Sequence, residues 1–137
     1  NIQAMSAYSS KYEMTLATEF IEDKSNEIPT GPKLLSRLNL ENTIITFDAL
    51  NTQEKTIEYI VKNKGDYVAS VKANQGNLYE DVVAYFDINE LKRKANYYSE
   101  KEKNHSQIEI RDYYLISDVE WISNKKKWKN LKRIKIY

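Results

Sequence analysis

The chain contains no cysteine, a single histidine, two prolines and three glycines in 137 residues. Without cysteine it has no disulfides and no thiolate metal ligands, which fits a reducing compartment, and we predict a cytoplasmic location. A zinc site is not expected, because His105 has no second histidine or cysteine to join it. The three glycines are not spaced as a phosphate-binding glycine loop requires.

Long apolar runs are also missing. No stretch approaches the 18 or so apolar residues of a membrane span, and the first residues do not read as a signal peptide. The first residue is asparagine rather than methionine, which suggests a trimmed chain. Hydrophobic residues make up 41% and charged residues 30%, enough for a globular core. The length predicts one domain, or one domain and part of another.

Charge of one sign is concentrated near the end of the chain. Residues 101–137 hold ten basic and five acidic side chains, and the last seventeen hold seven basic and no acidic ones. The remaining residues, 1–100, carry eleven basic and fifteen acidic side chains. Such a basic end can contact nucleic-acid phosphates, but charge alone favours a solvated, lysine-rich loop and strand edge.

The first half of the chain shows alternating and helical apolar patterns. We predict strands over residues 2–9 and 13–22 as an antiparallel hairpin. A helix is expected to begin at Thr30-Gly31-Pro32, with proline in the first turn, and to bury Leu34, Leu35 and Leu38.

A strand, a helix and a second strand then follow at 43–48, 52–63 and 66–72. We predict a parallel βαβ unit whose first strand is covered on both faces, with Gly65 taking a positive φ where the helix stops. Asp48 and Lys72 then lie at the same end of adjacent strands, where open α/β sheets place their ligands.

The second half is less regular. A helix at 75–86 with a buried stripe of Leu78, Val82, Tyr85 and Phe86 is expected, then a helical piece and a loop to about residue 104. Strands are predicted at 108–116 and 131–137, separated by a lysine-rich loop at 124–130. The whole is an α/β chain with a mixed sheet and flanking helices, in the order of a ribonuclease H-like sheet whose first strand is missing.

Two groups of polar residues are candidates for chemistry. Asp48 can supply a hard oxygen ligand to Mg²⁺ or Mn²⁺, and pairs of such ions drive phosphodiester cleavage; the alternative is a residue that caps the following helix. Lys72 can neutralise a phosphate while Asn74 and Gln75 orient DNA or water. The alternative there is a turn in which Asn74 is the N-cap of the third helix.

Five segments together resemble one family, the bacterial insertion-sequence DDE transposases, in the group that includes the H-repeat-associated proteins. Residues 44–49 (Ile-Ile-Thr-Phe-Asp-Ala) resemble its "hVThDA" motif, where h is apolar, and residues 65–75 resemble "GDYhhxhKxNQ". Residues 24–28 resemble "KSNEI", residues 3–7 resemble the "hhVSA" strand, and residues 105–111 resemble "HGRIExR", with Ser106 and Gln107 departing from the usual Gly and Arg.

The resemblance implies a ribonuclease H-like catalytic core over residues 1–88 and a β-rich insertion, or the start of one, over 89–137. It implies three carboxylates that bind magnesium or manganese and drive DNA strand cleavage and transfer. Asp48 matches the second carboxylate. The first is expected before Asn1 and the third on a helix past Tyr137, with Glu109 as the alternative third acid.

The resemblance also suggests DNA contacts from Lys24 and Asn26, besides Lys72, Asn74 and Gln75. One carboxylate cannot hold two divalent ions, so we expect the chain alone to bind magnesium weakly and to leave DNA uncut. Loss of a central strand would leave open sheet edges and favour self-association. The alternatives are a non-catalytic, nucleic-acid-binding remnant of such an element and a structural domain with no role on DNA.

Overall fold

The computed structural model describes residues 3–21, 27–104 and 107–136. The chain forms two compact units. The first holds residues 1–75 and 127–129, and the second holds residues 76–126 and 130–137. The division predicted at residue 88, between a catalytic core and an insertion, concerns the family's architecture and stays a prediction.

The first unit opens with the predicted antiparallel hairpin, which is confirmed. Strand β1 (Gln3–Ser9) pairs with β2 (Met14–Ile21) in a register that sets Ala4 opposite Phe20. One face packs on helix α1 (Glu27–Leu35), where Ala17 is buried. On that side Glu19 forms ion pairs with Lys33 and Arg37, and the hydrogen bond from Lys33 does most to lower the pKa of the Glu19 carboxyl.

Helix α1 (Glu27–Leu35) begins three residues before the predicted start at Thr30, so the prediction of Pro32 in the first turn is wrong. Pro32 lies inside the helix and removes one backbone donor. The helix tolerates this loss because Leu34 and Leu35 are buried beneath it.

Strands β3 (Ile44–Phe47) and β4 (Asp66–Ala69) are parallel neighbours, as predicted, with Ile44 opposite Asp66. Alternate residues of the pair, among them Ile45, Phe47 and Tyr67, pack against a small core made of Leu35, Leu40 and Ile60. The prediction that β3 is covered on both faces is wrong. Ile44 remains 70% exposed and Val68 62% exposed, because the described part of the chain covers one face only.

Helix α2 (Glu54–Lys62) joins these strands and buries Ile57 and Ile60 almost completely. It ends in a Schellman motif, in which the amides of Lys64 and Gly65 donate to the carbonyls of Val61 and Ile60 over 3.0 Å each. The left-handed residue is Lys64, with φ 60°, so the prediction of a positive φ at Gly65 is wrong. Gly65 is needed for space, since an added Cβ would lie 3.0 Å from the Ile60 side chain.

Residues 127–129 complete the first unit. Trp128 is buried, Lys127 pairs with Glu54 at 3.2 Å, and the Tyr67 hydroxyl donates to the Lys129 carbonyl at 2.8 Å. Burial raises the pKa of Tyr67 to about 12. The stretch predicted as a lysine-rich loop at 124–130 thus contains a short 3₁₀ turn (Lys125–Lys127) and an anchored tryptophan.

The second unit contains helices α3 (Asn77–Asp87) and α4 (Asn89–Lys92) and strands β5 (Asn96–Asn104), β6 (Gln107–Ile116) and β7 (Ile134–Ile136). The strands form one antiparallel sheet in the order β5-β6-β7. The buried stripe of α3 is confirmed, since Leu78, Val82, Tyr85 and Phe86 are all buried. The loop predicted before residue 104 is wrong, because that stretch is strand β5.

The chain is therefore a mixed α/β protein with sheets and flanking helices, as the sequence predicts at this level. Among the described residues, no helix has both the length and the apolar character that crossing a membrane requires.

Candidate active site

The ends of β3 and β4 meet at one edge of the first unit. Asp48 directly follows β3, and the turn from Lys72 to Gln75 follows β4. The side-chain amides of Asn74 and Gln75 donate to the carbonyl of Ala49, over 3.1 Å and 2.7 Å. The prediction that the acid and the Lys-Asn-Gln turn face a common edge is confirmed by these contacts.

Thr52 joins the two strand ends from beneath. It is 2% exposed, and its hydroxyl oxygen lies 2.6 Å from the Ser70 carbonyl and 2.9 Å from the Asp48 carbonyl. The hydroxyl has one proton, so it donates to one of these carbonyls at a time. Thr52 was not among the residues predicted for the site, although a threonine four residues after a strand-end aspartate is a signal for this kind of local hydrogen bond.

The Asp48 carboxylate is exposed, and one of its oxygens is held by a neighbour. Oδ1 accepts hydrogen bonds from the backbone and side-chain nitrogens of Asn51, at 3.2 Å and 3.1 Å. Oδ2 accepts no hydrogen bond from the described residues. Asp48 is not the cap of α2, since Gln53 occupies the N-cap position, so that alternative is wrong.

Gln75 ties the turn after β4 to the loop after β3. Its Oε1 accepts from the Lys72 backbone at 2.6 Å, while its Nε2 donates to Ala49 and lies 3.4 Å from the Thr52 carbonyl. The alternative in which Asn74 caps α3 is wrong, because Gly76 is the N-cap. Asn74 instead lies in a short 3₁₀ turn (Ala73–Gln75).

Three more residues were predicted to contact DNA, namely Lys72, Lys24 and Asn26. Lys72 is exposed and has no acidic partner among residues 3–21, 27–104 and 107–136. Lys24 and Asn26 lie outside the described residues. Nothing in the structure therefore bears on those two.

Glu109, the alternative third acid, lies on β6 in the second unit. Arg111 binds it with two hydrogen bonds, Nε to Oε1 at 3.1 Å and Nη2 to Oε2 at 2.9 Å. The hydrogen bond that Arg111 donates to Glu109 does most to raise the pKa of Arg111. Both carboxylate oxygens of Glu109 are thus already neutralised by an arginine.

The fit of a divalent ion can be judged from these donors. In the described part of the chain no three acidic or histidine side chains come close enough to hold a metal. Asp48 fits one ligand position, since it is an exposed carboxylate with one oxygen unengaged by the described residues. The other ligands of such an ion are not supplied by the residues described.

Comparison with known proteins identifies the family. The family model described as "Transposase DDE domain" matches residues 1–132. The chain belongs to the DDE transposase family. The resemblance drawn from the five motifs is therefore confirmed.

Curated relatives of this transposase chain include proteins of the H-repeat-associated group. The chain is 35% identical over 136 residues to "H repeat-associated putative transposase YhhI" of Escherichia coli K12, and the match covers 97% of the chain and 36% of that protein. "Putative protein YbfL" of the same strain is 36% identical with the same coverage. "Uncharacterized protein in dhlA 3'region" of Xanthobacter autotrophicus is 29% identical over 133 residues, which are 97% of the chain and 45% of that protein.

The transposase chain thus spans between a third and a half of the length of these relatives. No solved structure matches it.

Proposed function

We propose that the chain is part of a transposase that cuts and joins DNA strands by metal-dependent phosphoryl transfer, during transposition of an insertion sequence. The observation that carries the proposal is the edge where the two parallel strands end, with an exposed aspartate beside an exposed lysine-bearing turn. Membership of the DDE transposase family supports the same reading. A ribonuclease H-like core is the fold we propose for residues 1–88.

Within this edge, Asp48 is proposed as a ligand of Mg²⁺ or Mn²⁺. A divalent ion held there would polarise a phosphate and activate the attacking oxygen. Lys72, exposed and without an acidic partner in the described part of the chain, is proposed to neutralise a DNA phosphate beside it. Asn74, Lys24 and Asn26 complete the proposed DNA-binding set, whereas the side chain of Gln75, also expected there from the sequence, is hydrogen-bonded to Ala49 and Lys72.

The chain alone is proposed to be inactive. One carboxylate offsets only part of the cost of dehydrating a divalent ion, so we expect weak binding, and the described residues form no group of three acidic or histidine side chains that could hold the ion. We place the first and third acids outside residues 1–137. Glu109 is the weaker choice for the third acid, since Arg111 already engages both of its oxygens.

The basic end of the chain is proposed to add phosphate contacts. Lys125 and Lys127 are paired with Glu120 and Glu54. In the same segment Lys126, Lys132 and Arg133 are exposed and have no acidic partner among the described residues. Each phosphate contact made by such a cation steepens the dependence of DNA affinity on salt.

Self-association is proposed through open strand edges. The described part of the first unit contains two separate two-stranded sheets, so each of the four strands retains one edge that pairs with no strand described. Edges of this kind pair readily with another chain. Sedimentation of the purified chain at increasing concentration would show a rising average mass if this proposal holds.

The test of the catalytic proposal uses the complete protein to which the chain belongs, with a DNA substrate that carries the element ends. We expect strand cleavage in Mg²⁺ that Asp48→Asn reduces by at least about 10³-fold, since a metal ligand and its ion supply several kcal/mol of transition-state stabilisation. DNA binding, measured by gel shift in EDTA, is expected to survive that substitution. Cleavage that persists in Asp48→Asn would overturn the proposal.

A second candidate is a nucleic-acid-binding remnant of an element that no longer cuts DNA. In the described part of the chain Asp48 is the one candidate acid at the ends of β3 and β4, and this favours the remnant for this chain. The same assay separates the two, because a remnant would bind DNA in a salt-dependent way and would not cleave it in Mg²⁺ or Mn²⁺. Absence of any DNA binding at low salt would leave a structural domain as the remaining reading.

A further inference from the structure

The side chains around Asp48 form a connected polar network that the sequence motifs do not explain. We define the Asp48 loop as residues 48–53, which join β3 to α2. Donors from outside the loop reach its carbonyls: Gln75 Nε2 lies 2.7 Å from the Ala49 oxygen and 3.4 Å from the Thr52 oxygen, and Asn74 Nδ2 lies 3.1 Å from the Ala49 oxygen.

From these contacts we infer that Gln75 and Thr52 are positioning residues, which fix the direction of the Asp48 carboxylate without touching substrate or metal. The inference deepens the proposed function and rests on it, because it assumes that Asp48 is a metal ligand. It assigns to Gln75 a role different from the DNA contact expected from the sequence.

Gln75 has little hydrogen-bonding capacity left for DNA. Its Nε2 donates to the Ala49 carbonyl at 2.7 Å and lies 3.4 Å from the Thr52 carbonyl, and its Oε1 accepts the Lys72 amide at 2.6 Å. An amide side chain offers two donors and one acceptor oxygen, so these contacts engage both its nitrogen and its oxygen. Gln75 therefore joins the end of β4 to the Asp48 loop.

Thr52 provides the second tie, from the buried side. Its hydroxyl lies within hydrogen-bonding distance of the carbonyls of Asp48 and Ser70, one from each strand end. Loss of this hydroxyl leaves both carbonyls without that donor. The Asp48 carbonyl then has no link to Thr52, and we expect the direction of the Asp48 side chain to be less well defined.

The carboxylate itself is oriented by Asn51, whose two nitrogens hold Oδ1 and leave Oδ2 for another partner. Asn51 belongs to the same loop, so its position depends on the ties from Gln75 and Thr52. Residues that orient a metal ligand in this way typically change metal affinity about 10–100-fold when removed. The effect of removing Gln75 or Thr52 is therefore expected to appear in the metal affinity at Asp48.

The test uses the isotope-labelled chain and Mn²⁺ alone, with broadening of the Asn51 amide signal as the readout. In the unmodified chain we expect weak binding centred on Asp48, which Asp48→Asn abolishes. Gln75→Leu and Thr52→Val are expected to raise the Mn²⁺ concentration for half-maximal broadening by about tenfold, the low end of that range. Thr52→Ser keeps the hydroxyl and should stay near the unmodified value.

Tyr67→Phe is the matched control, because it also removes one hydrogen bond from the first unit, the 2.8 Å contact with Lys129, but leaves the Asp48 loop intact. It should leave the Mn²⁺ concentration unchanged. Suppose that the unmodified chain, Gln75→Leu and Thr52→Val need the same Mn²⁺ concentration for half-maximal broadening, and that Asp48→Asn shows no broadening. That result would overturn the positioning role and leave the metal role standing. If Tyr67→Phe raised the half-maximal Mn²⁺ concentration by the same factor, the positioning role would also be overturned, because the shift would then reflect a general loss of stability. Absence of broadening at Asp48 in the unmodified chain would defeat both proposals.

Discussion

The substitution Gly65→Ala probes how the strand pair is packed against helix α2. An ideal Cβ at Gly65 lies 3.0 Å from Ile60 Cγ2, 3.1 Å from Ile45 Cδ1 and 3.1 Å from the Leu40 carbonyl oxygen. These neighbours belong to the core of the first unit or to its backbone, and Ile60 is fully buried. The added methyl has no space into which it can turn.

The expected magnitude combines two opposing effects. Forcing a methyl into a packed core costs about 1–3 kcal/mol. Replacing glycine restricts the unfolded chain and returns about 0.4–1 kcal/mol, because Gly65 has no positive φ that alanine would have to adopt. The difference is about 0–2.6 kcal/mol, so we expect Gly65→Ala to lower the free energy of unfolding by about 1.3 kcal/mol, the middle of that range, measured by urea denaturation followed by far-ultraviolet circular dichroism.

A double-mutant cycle with Ile45→Val tests the cause. Valine lacks the Cδ1 atom that the new methyl would meet at 3.1 Å. The loss in the double variant should therefore be smaller than the sum of the single losses by about 0.5–1 kcal/mol. Strict additivity would refute the packing argument and would point to a backbone requirement at Gly65.

Three further predictions concern the same unit. Lys64→Gly should raise the free energy of unfolding by about 0.5–1 kcal/mol, because glycine adopts the left-handed conformation (φ 60°) without strain and the exposed ion pair of Lys64 with Glu41 contributes little. A lower free energy of unfolding in urea denaturation would contradict this prediction. Burial raises the pKa of Tyr67 to about 12, so above pH 10 the unfolded chain ionises first and stability should fall as the pH rises toward 12. Urea denaturation across this range should show a shallower fall in Tyr67→Phe, and an equal fall would count against the assignment. Thr52→Val should cost about 1–3 kcal/mol in the same assay, because the Ser70 and Asp48 carbonyls lose a buried donor, and a neutral result would mean that water replaces it.

The sequence predicted the parallel strands because their apolar runs flank a helix of clear 3.6-residue periodicity. Ile57 and Ile60 lie on the buried face of α2, as that spacing requires. Since the carboxyl ends of parallel neighbours open on one edge, the proximity of Asp48 to the turn after β4 followed from topology alone. This part of the site needed no side-chain detail.

Other features depend on contacts that local patterns do not encode. Strand β5 reads as a polar loop, because its lysines and glutamates have low β propensity, yet it pairs with β6 along its whole length. Cross-strand partners stabilise it, with Tyr98 against Tyr113 and the Tyr97 hydroxyl 2.9 Å from Asp112. β propensity depends on the residues of one strand and takes no account of the strand that pairs with it.

The roles within the site were also beyond the sequence. Asn74 and Gln75 are polar residues in a turn, and a motif alone does not distinguish a DNA contact from a bond to a neighbouring loop. The distances to the Ala49 carbonyl assign each amide at least one intramolecular partner. Thr52 was not predicted, because the hydrogen bond that links the two strand ends joins it to Ser70, eighteen positions away along the chain.

The most direct test of the account is affinity cleavage of the chain by Fe²⁺ with ascorbate and peroxide, since hydroxyl radicals cut the backbone near the bound ion. If the two strand ends form one metal-binding edge, cuts should occur in two segments, near Asp48 and near Lys72–Gln75, and both should disappear in Asp48→Asn. Cuts confined to one of these segments, or cuts that persist in Asp48→Asn, would contradict the account.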